Sequence, residues 1–315
     1  MGFRMIGVYC KAGNLELLAK APWKIGIVAF MAFPSTLKGV DVIEATEALL
    51  KDGFFDMIEH HIIPIEVLRK VANMAEEAGV ELAGALQPTI LIQKFNINSL
   101  DEGERMRAVK RLKEEIDVAH SVGINKVALC SGPDPGSQKR EQAMKALRAS
   151  LLEICEHAKS YGITVYLENF DREYDKKLLL GPTLETYKLI KELGEETTNL
   201  KLLWDLSHAP LLHEKPQILK NVKNVLGHVH IGCAERTSEG LKDYHPGFYT
   251  PNAVNDVNDV IELLKVLLEI RYEGGISFEV KPKEQENSLQ VINTAKGVLY
   301  TAFQRTIKEC LKKIS

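Results

Sequence analysis

The sequence predicts an α/β fold: a single (β/α)8 barrel over residues 23–315, a short N-terminal extension over residues 1–22, and an insertion after the seventh strand. Three observations predict it. Eight apolar runs short enough to be buried strands recur along the chain, helical periodicity fills the gaps between them, and no Pro/Ser-rich linker interrupts the alternation. Eight βα units favour a closed barrel over an open sheet. An open doubly wound sheet that binds dinucleotides would carry a glycine-rich first turn, and here AFPSTLKG stands in that place.

In chain order, residues 1–22 form either a loose extension or a floor under the barrel. The first strand is IGIVAFM (25–31), the second FFDMIEH (54–60), the third ELAGALQ (81–87) and the fourth KVALCSG (126–132). TVYLENF (164–170), LKLLWDL (200–206), LGHVHIG (226–232) and GISFEVK (275–281) complete the set. Most lack polar alternation, as expected of parallel strands covered on both faces. Between them, Met106, Val109, Leu112, Ile116 and Ala119 mark one face of a helix over 102–121. Met144, Leu147, Leu151, Ile154 and Ala158 do the same over 138–161. Gly53, Gly79, Gly123 and Gly162 stand where helices should close in a left-handed residue. Pro64 and Pro182 stand where a first helical turn should begin. The turn SGPDPG (131–136) lacks the GK[ST] signature of a phosphate loop, and EQEN (284–287) is expected to start a solvated final helix.

Composition narrows the class. Apolar residues are 45% and charged residues 26%, which excludes a disordered chain, a collagen-like chain and a disulfide scaffold. A formal net charge of −3, from 40 basic and 43 acidic residues, opposes a nucleic-acid partner. The five cysteines (Cys10, Cys130, Cys155, Cys233 and Cys310) are odd in number and form no CxxC, so neither a disulfide framework nor a thiolate zinc site is expected. The N-terminus is a poor signal peptide, and no apolar run approaches twenty residues, so a cytoplasmic protein without membrane contact is expected.

In such a barrel the active site lies at the C-terminal strand ends. The fifth run ends in Glu168-Asn169 and the sixth in Trp204-Asp205, with Ser207 and His208 just beyond. The seventh carries His228 and His230, and the eighth ends in Glu279. Acidic groups converging on one barrel mouth repel each other unless a cation neutralises them. Carboxylates plus one imidazole suit one divalent ion, Mn²⁺ foremost, with Mg²⁺, Co²⁺ or Zn²⁺ as alternatives. His228 shares the face of His230 one layer deeper and is read as a hydrogen-bonded core histidine. Glu59 reaches either the substrate or a rim partner. Gln87 and Cys130 either line the pocket or fill the barrel, and Trp204 is read as core.

The strings VYLEN, WDLSHAP, LGHVHIG-CAER and ISFEVKP resemble the metal-site strands of the xylose-isomerase-like barrels, and the pattern is most similar to that of the ketose 3-epimerases. The resemblance spans roughly 165–282. It implies Glu168, Asp205, His230 and Glu279 as metal ligands, and the two glutamates as the acid/base pair. It also implies His208 and Arg236 as substrate contacts and a homodimer or homotetramer. Two features depart from the pattern: Cys233 stands where the epimerases usually have a glutamate, and TSEGLKDYHPGFYTP replaces their proline-glycine stretch.

The expected reaction is isomerisation or epimerisation of a ketose or keto-sugar derivative through a cis-enediolate, one glutamate removing a proton and the other returning one. A dehydratase of a keto-inositol or keto-sugar acid would use the same site. An endonuclease IV-like hydrolase is a further alternative, since Asp205-xx-His208 and Asp243-x-His245 resemble pieces of that multi-metal site. Gln87-Pro88 closes the third run without the histidine that group places there. A non-catalytic, metal-dependent sugar sensor is the fourth reading. If Asp243 and His245 fold over a sugar, the 233–251 insertion is a lid.

Overall fold

The structure, a computed structural model, describes residues 6–313; residues 1–5 of the expected extension and 314–315 of the expected barrel lie outside the described residues. An antiparallel hairpin, β1 (Gly7–Ala12) with β2 (Leu15–Lys20), comes first. Eight parallel strands then close a barrel: β3 (Lys24–Val28), β4 (Met57–His61), β5 (Glu81–Ala85), β6 (Lys126–Cys130), β7 (Thr164–Glu168), β8 (Leu200–Asp205), β9 (Leu226–Ile231) and, after a second hairpin of β10 (Glu235–Thr237) and β11 (Gly240–Lys242), β12 (Gly275–Phe278). β12 pairs with β3 on one side and β9 on the other, so the barrel has no free edge. The helices are α1 (Ala29–Ala32), α2 (Val42–Asp52), α3 (Ile65–Glu77), α4 (Gln87–Leu91), α5 (Glu102–Ser121), α6 (Arg140–Ser160), α7 (Thr183–Leu193), α8 (Leu219–Val222), α9 (Val257–Glu269) and α10 (Ser288–Lys312). Among the described residues no helix is long and apolar enough to cross a membrane.

The barrel strands are shorter than the apolar runs that announce them. Strands one and three were expected to reach 31 and 87, but the chain is already helical at Ala29 and Gln87. The second strand starts at Met57, because Phe54 and Phe55 pack on Phe278, with ring centroids 6.2 and 6.1 Å away, instead of joining the ladder. Helix ends follow local chemistry: Gly53, Gly79, Gly123 and Gly162 all have φ between +67° and +81°. Pro64 and Pro182 sit one residue before their helices, as N-caps. EQEN precedes the last helix; Asn287 caps it, its side chain accepting from the amides of Leu289 and Gln290.

Inside the barrel, successive inward side chains build layers. At one level Gly26, Met57, His228 and Ser277 meet, and a Cβ on Gly26 would collide with the Ser277 hydroxyl, so the close approach of these strands needs a glycine there. One layer up, two residues further along each strand, come Glu59 and His230. The apolar wall behind them, with Ile27, Ile58, Leu167, Trp204, Val229 and Ile276 fully buried, fixes where the polar ends emerge.

Candidate metal centre and active site

Four neighbouring strands supply the site. Glu168 and Asp205 are the last residues of β7 and β8, His230 lies beside Asp205 in β9, and Glu279 follows β12 directly. One ligand atom from each of these four residues lies within 4.8 Å of the others. Glu168, His230 and Glu279 line a cavity of about 540 Å³, with Glu59, Gln87, Asp243 and His245 on the same polar side, and Asp205 is buried beside them.

Hydrogen bonds set the orientation of each group. Glu59 is buried between two histidines: His228 Nε2 lies 2.9 Å from Oε1, and His230 Nε2 lies 3.2 Å from Oε2. His230 Nδ1–H donates to Glu279 Oε2 at 2.7 Å and lies 3.8 Å from Glu168 Oε1; with Nε2–H held by Glu59, loss of the Nδ1 proton would free that nitrogen's lone pair for a cation. Gln87 Nε2 donates to Glu168 Oε2 at 2.9 Å. The Ser207 amide donates to Asp205 Oδ1 at 2.7 Å. The other oxygens, Glu168 Oε1 and Asp205 Oδ2, are buried without a hydrogen bond. Two unsatisfied carboxylate oxygens beside an imidazole nitrogen that can give up its proton are a donor set that a divalent cation would satisfy.

Electrostatics agree. Burial, opposed by His208 and reinforced by Glu279, pushes Glu168 up to about 8. Burial also raises Asp205. Glu279 would rise on burial too, but His245 and His230 bring it down to about 2. Against the cost of burial, Glu59 and Glu279 raise His230 well above an ordinary imidazole. The chain therefore balances its own buried carboxylates with protons on histidines and on Glu168, and a cation would displace those protons.

The insertion after β9 folds onto these residues. His245 adopts φ +51°, unusual for a residue with a side chain, and Gly232 permits the approach, since a Cβ there would meet the Glu279 carbonyl oxygen. Asp243 Oδ1 lies 2.8 Å from His245 Nε2 and 3.2 Å from His208 Nε2. Lys176, in the loop after β7, holds Asp243 from the other side, Nζ to Oδ2 at 3.1 Å and to the backbone oxygen at 2.9 Å. His208 Nδ1 faces the Asn169 carbonyl oxygen at 2.9 Å, so Nδ1–H donates there and Nε2 is left toward Asp205 and Asp243. Asp205, His208 and His245 form a second group with metal-ligand spacing.

The structure thus brings together Glu168, Asp205, His230, Glu279, Gln87, Glu59 and His208. Three expectations are corrected. Arg236 does not join the site: on β10 it is exposed, while Glu235 and Thr237 on the opposite face are half-buried, so strand parity turns the arginine outward. Glu59 lines the cavity, but its two oxygens face His228 and His230, which gives it the partners of a positioning group. His208 is not among the residues lining the cavity and faces Asp205 and Asp243 instead. Sequence reasoning missed Lys176; it lies in a charged run, DREYDKK, with nothing to single it out. His228, hydrogen-bonded to Glu59 and 3.1 Å from Ser277 Oγ, is the expected core histidine.

The chain matches the family of xylose isomerase-like TIM barrels over residues 37–296. It belongs to that family. No curated protein matches it. Among solved structures, this xylose isomerase-like barrel is similar to L-ribulose 3-epimerase, with 20% identity, TM-score 0.72, and 90% of this chain and 96% of that one covered. It is also similar to a D-tagatose 3-epimerase-like protein (21% identity, TM-score 0.70, 90% and 99% covered). A third similar structure is the IOLI protein with a bound zinc atom (16% identity, TM-score 0.69, 90% and 99% covered). At these identities the likeness is one of fold.

Proposed function

We propose that the protein is a divalent-metal-dependent isomerase or epimerase of a ketose or keto-sugar derivative. Glu168, Asp205, His230 and Glu279 would hold one ion, Mn²⁺ foremost, and Glu168 and Glu279 would share the proton transfers. The observation that carries this reading is the convergence of four ligand atoms within 4.8 Å, from four neighbouring strands, three of them on residues that line the cavity. The sugar epimerases among the similar folds, and the zinc atom in one of them, support it.

When bound, the ion would draw charge from a carbonyl oxygen and a neighbouring hydroxyl, easing loss of the proton between them. The chain's own groups do the rest. Gln87 holds Glu168 Oε2 and leaves Oε1 for ion and substrate. Glu59 fixes the ring of His230, a positioning role. Glu279 and Glu168 take up a proton from one face of the carbon and return one to the other. Asp243, Tyr244 and His245, tied down through Lys176, cover part of the cavity against water.

Glu279→Gln tests the assignment. The amide keeps the size and loses the base, so deuterium exchange from D₂O at the carbon beside the carbonyl should fall by about 10²–10⁴-fold. A fully active variant would sink the role of Glu279.

A second reading has its own observation. His208 Nε2, Asp205 Oδ2 and Asp243 Oδ1 are buried and close together, with no partners beyond one another and His245, which suits a second ion and the metal-dependent hydrolase. Native mass spectrometry after Mn²⁺ or Zn²⁺ is offered separates the two. One ion per chain, weakened by Glu279→Gln, is expected for the isomerase. Two ions, one of them lost in Asp243→Asn, would move the assignment to the hydrolase.

A further inference from the structure

The hairpin of β1 and β2 is a sheet of its own, separate from the barrel. β1 lies against α10, with Val8 and Cys10 buried, and β2 is the outer strand, exposed at five of its six residues. Among the described residues no strand pairs with the far edge of β2, and neither a proline nor a bulge interrupts it. An open, regular edge is a template for another strand.

The turn decides which backbone groups are free there. Ala12 pairs with Leu15 across Gly13 and Asn14, with Gly13 at φ +58°. A two-residue turn closes on a hydrogen-bonded pair, so the amide and carbonyl of Leu15, and by alternation those of Leu17 and Ala19, point to β1. Those of Glu16, Leu18 and Lys20 point to the open edge. The same three side chains lie on the face away from Val8 and Cys10, with Tyr9 directly opposite Leu18. Leu18 is 65% exposed and Tyr9 56%.

One antiparallel register between two copies of β2 uses all three outward residues, with the two-fold axis at Leu18. Leu18 then faces the partner's Leu18, and Glu16 faces the partner's Lys20. About six backbone hydrogen bonds form, two for each facing pair. Tyr9, Leu18, the partner's Leu18 and the partner's Tyr9 line up as one apolar row across four strands. Each Glu16, already 2.7 Å from Lys11 of its own hairpin, gains a second cation. Backbone parity selects this register, and the charges agree with it independently. We propose that β2 is an interface between two copies of this chain, which joins their hairpins into one four-stranded antiparallel sheet. No residue of the hairpin lines the cavity, so this pairing leaves the metal centre open.

The interface is one strand wide, which places it in the small, weakly associating class. Sedimentation velocity of the full-length protein from about 1 to 100 μM should show monomer giving way to dimer. Lys20→Glu sets like charges in both facing pairs of a homodimer, and Glu16→Lys does so with the opposite sign. Each should weaken self-association by about tenfold. Lys20 stands opposite Gly7, so its reversal breaks no side-chain pair within the hairpin. Mixed one to one, the two variants restore both pairs in a heterodimer, which should form as readily as the unchanged dimer. Mixing would not rescue a hairpin that had misfolded. Leu18→Pro removes an outward amide and should leave only monomer. Monomer throughout the range in the unchanged protein overturns the proposal. So does a dimer that neither charge variant weakens, or a mixture that associates no better than its components.

Discussion

His61 closes β4 with its ring against Phe30, the ring centroids 5.5 Å apart at 76°. Burial first, and the neighbouring His60 second, hold its imidazole down to about 3. The unfolded chain takes that proton near the ordinary value of about 6.5. Below 6.5 the unfolded state therefore binds a proton that the folded state refuses, and stability present at neutral pH is lost as pH falls toward 3. The slope is at most about 1.4 kcal/mol per pH unit for this residue. His61→Phe should keep the contact with Phe30 and flatten the loss. Urea unfolding of both proteins at pH 7 and pH 5 measures it, and equal pH slopes would refute the role of His61. The site was legible at this scale wherever an acid or imidazole ended an apolar run, as Glu168, Asp205 and His230 do, because such a group stands out against its own strand. Arg236 and Glu59 were not, for opposite reasons. The parity of a three-residue strand turns Arg236 outward, and histidines 169 and 171 positions downstream take up both oxygens of Glu59.

Helices α5 and α6 fall within two residues of their expected bounds because periodicity and closing glycines are local signals. Met106 is the exception on the α5 stripe, 41% exposed, since a periodic face reaches beyond the part that a neighbour covers. The loops are different. Asp171 accepts from the amides of Tyr174, Asp175 and Lys176 and shapes the loop that delivers Lys176 to Asp243, a junction between segments 67 residues apart that no local pattern encodes. Where the insertion rejoins the barrel, α9 starts with a reciprocal cap: Asp256 accepts from the amides of Asn258 and Asp259, and Asp259 accepts from the Asp256 amide. Asp256→Ala leaves these donors to solvent and should cost about 1 kcal/mol of stability. Denaturant unfolding checks it. No loss would mean that packing of Val257, Val260 and Leu264 sets the start of α9 without help from the cap.

For the molecule as a whole, the count of eight βα units was enough to choose closure, and closure makes the site, since it puts β12 and its following Glu279 beside β9. What counting could not place was the chain before β3. Ile6, Val8 and Cys10 are buried, β1 lies against α10, and the Cys10 thiol donates to the Gln304 carbonyl oxygen at 3.5 Å. Trp23 follows, donating to the Tyr272 carbonyl oxygen at 2.9 Å with its ring 5.9 Å from Phe303. Trp23 and Tyr272 precede their strands, so this contact belongs to the end of the barrel opposite the mouth. We propose that residues 6–22 are an accessory element that stabilises α10 and takes no part in the chemistry. Val8→Asn buries an amide against α10 and should lower stability by about 1–3 kcal/mol. The number of Mn²⁺ ions bound per chain, read by native mass spectrometry, should stay the same. Unchanged stability would show that the hairpin is only loosely held. A changed ion count would show that the two ends of the barrel are coupled, and the accessory assignment would fall.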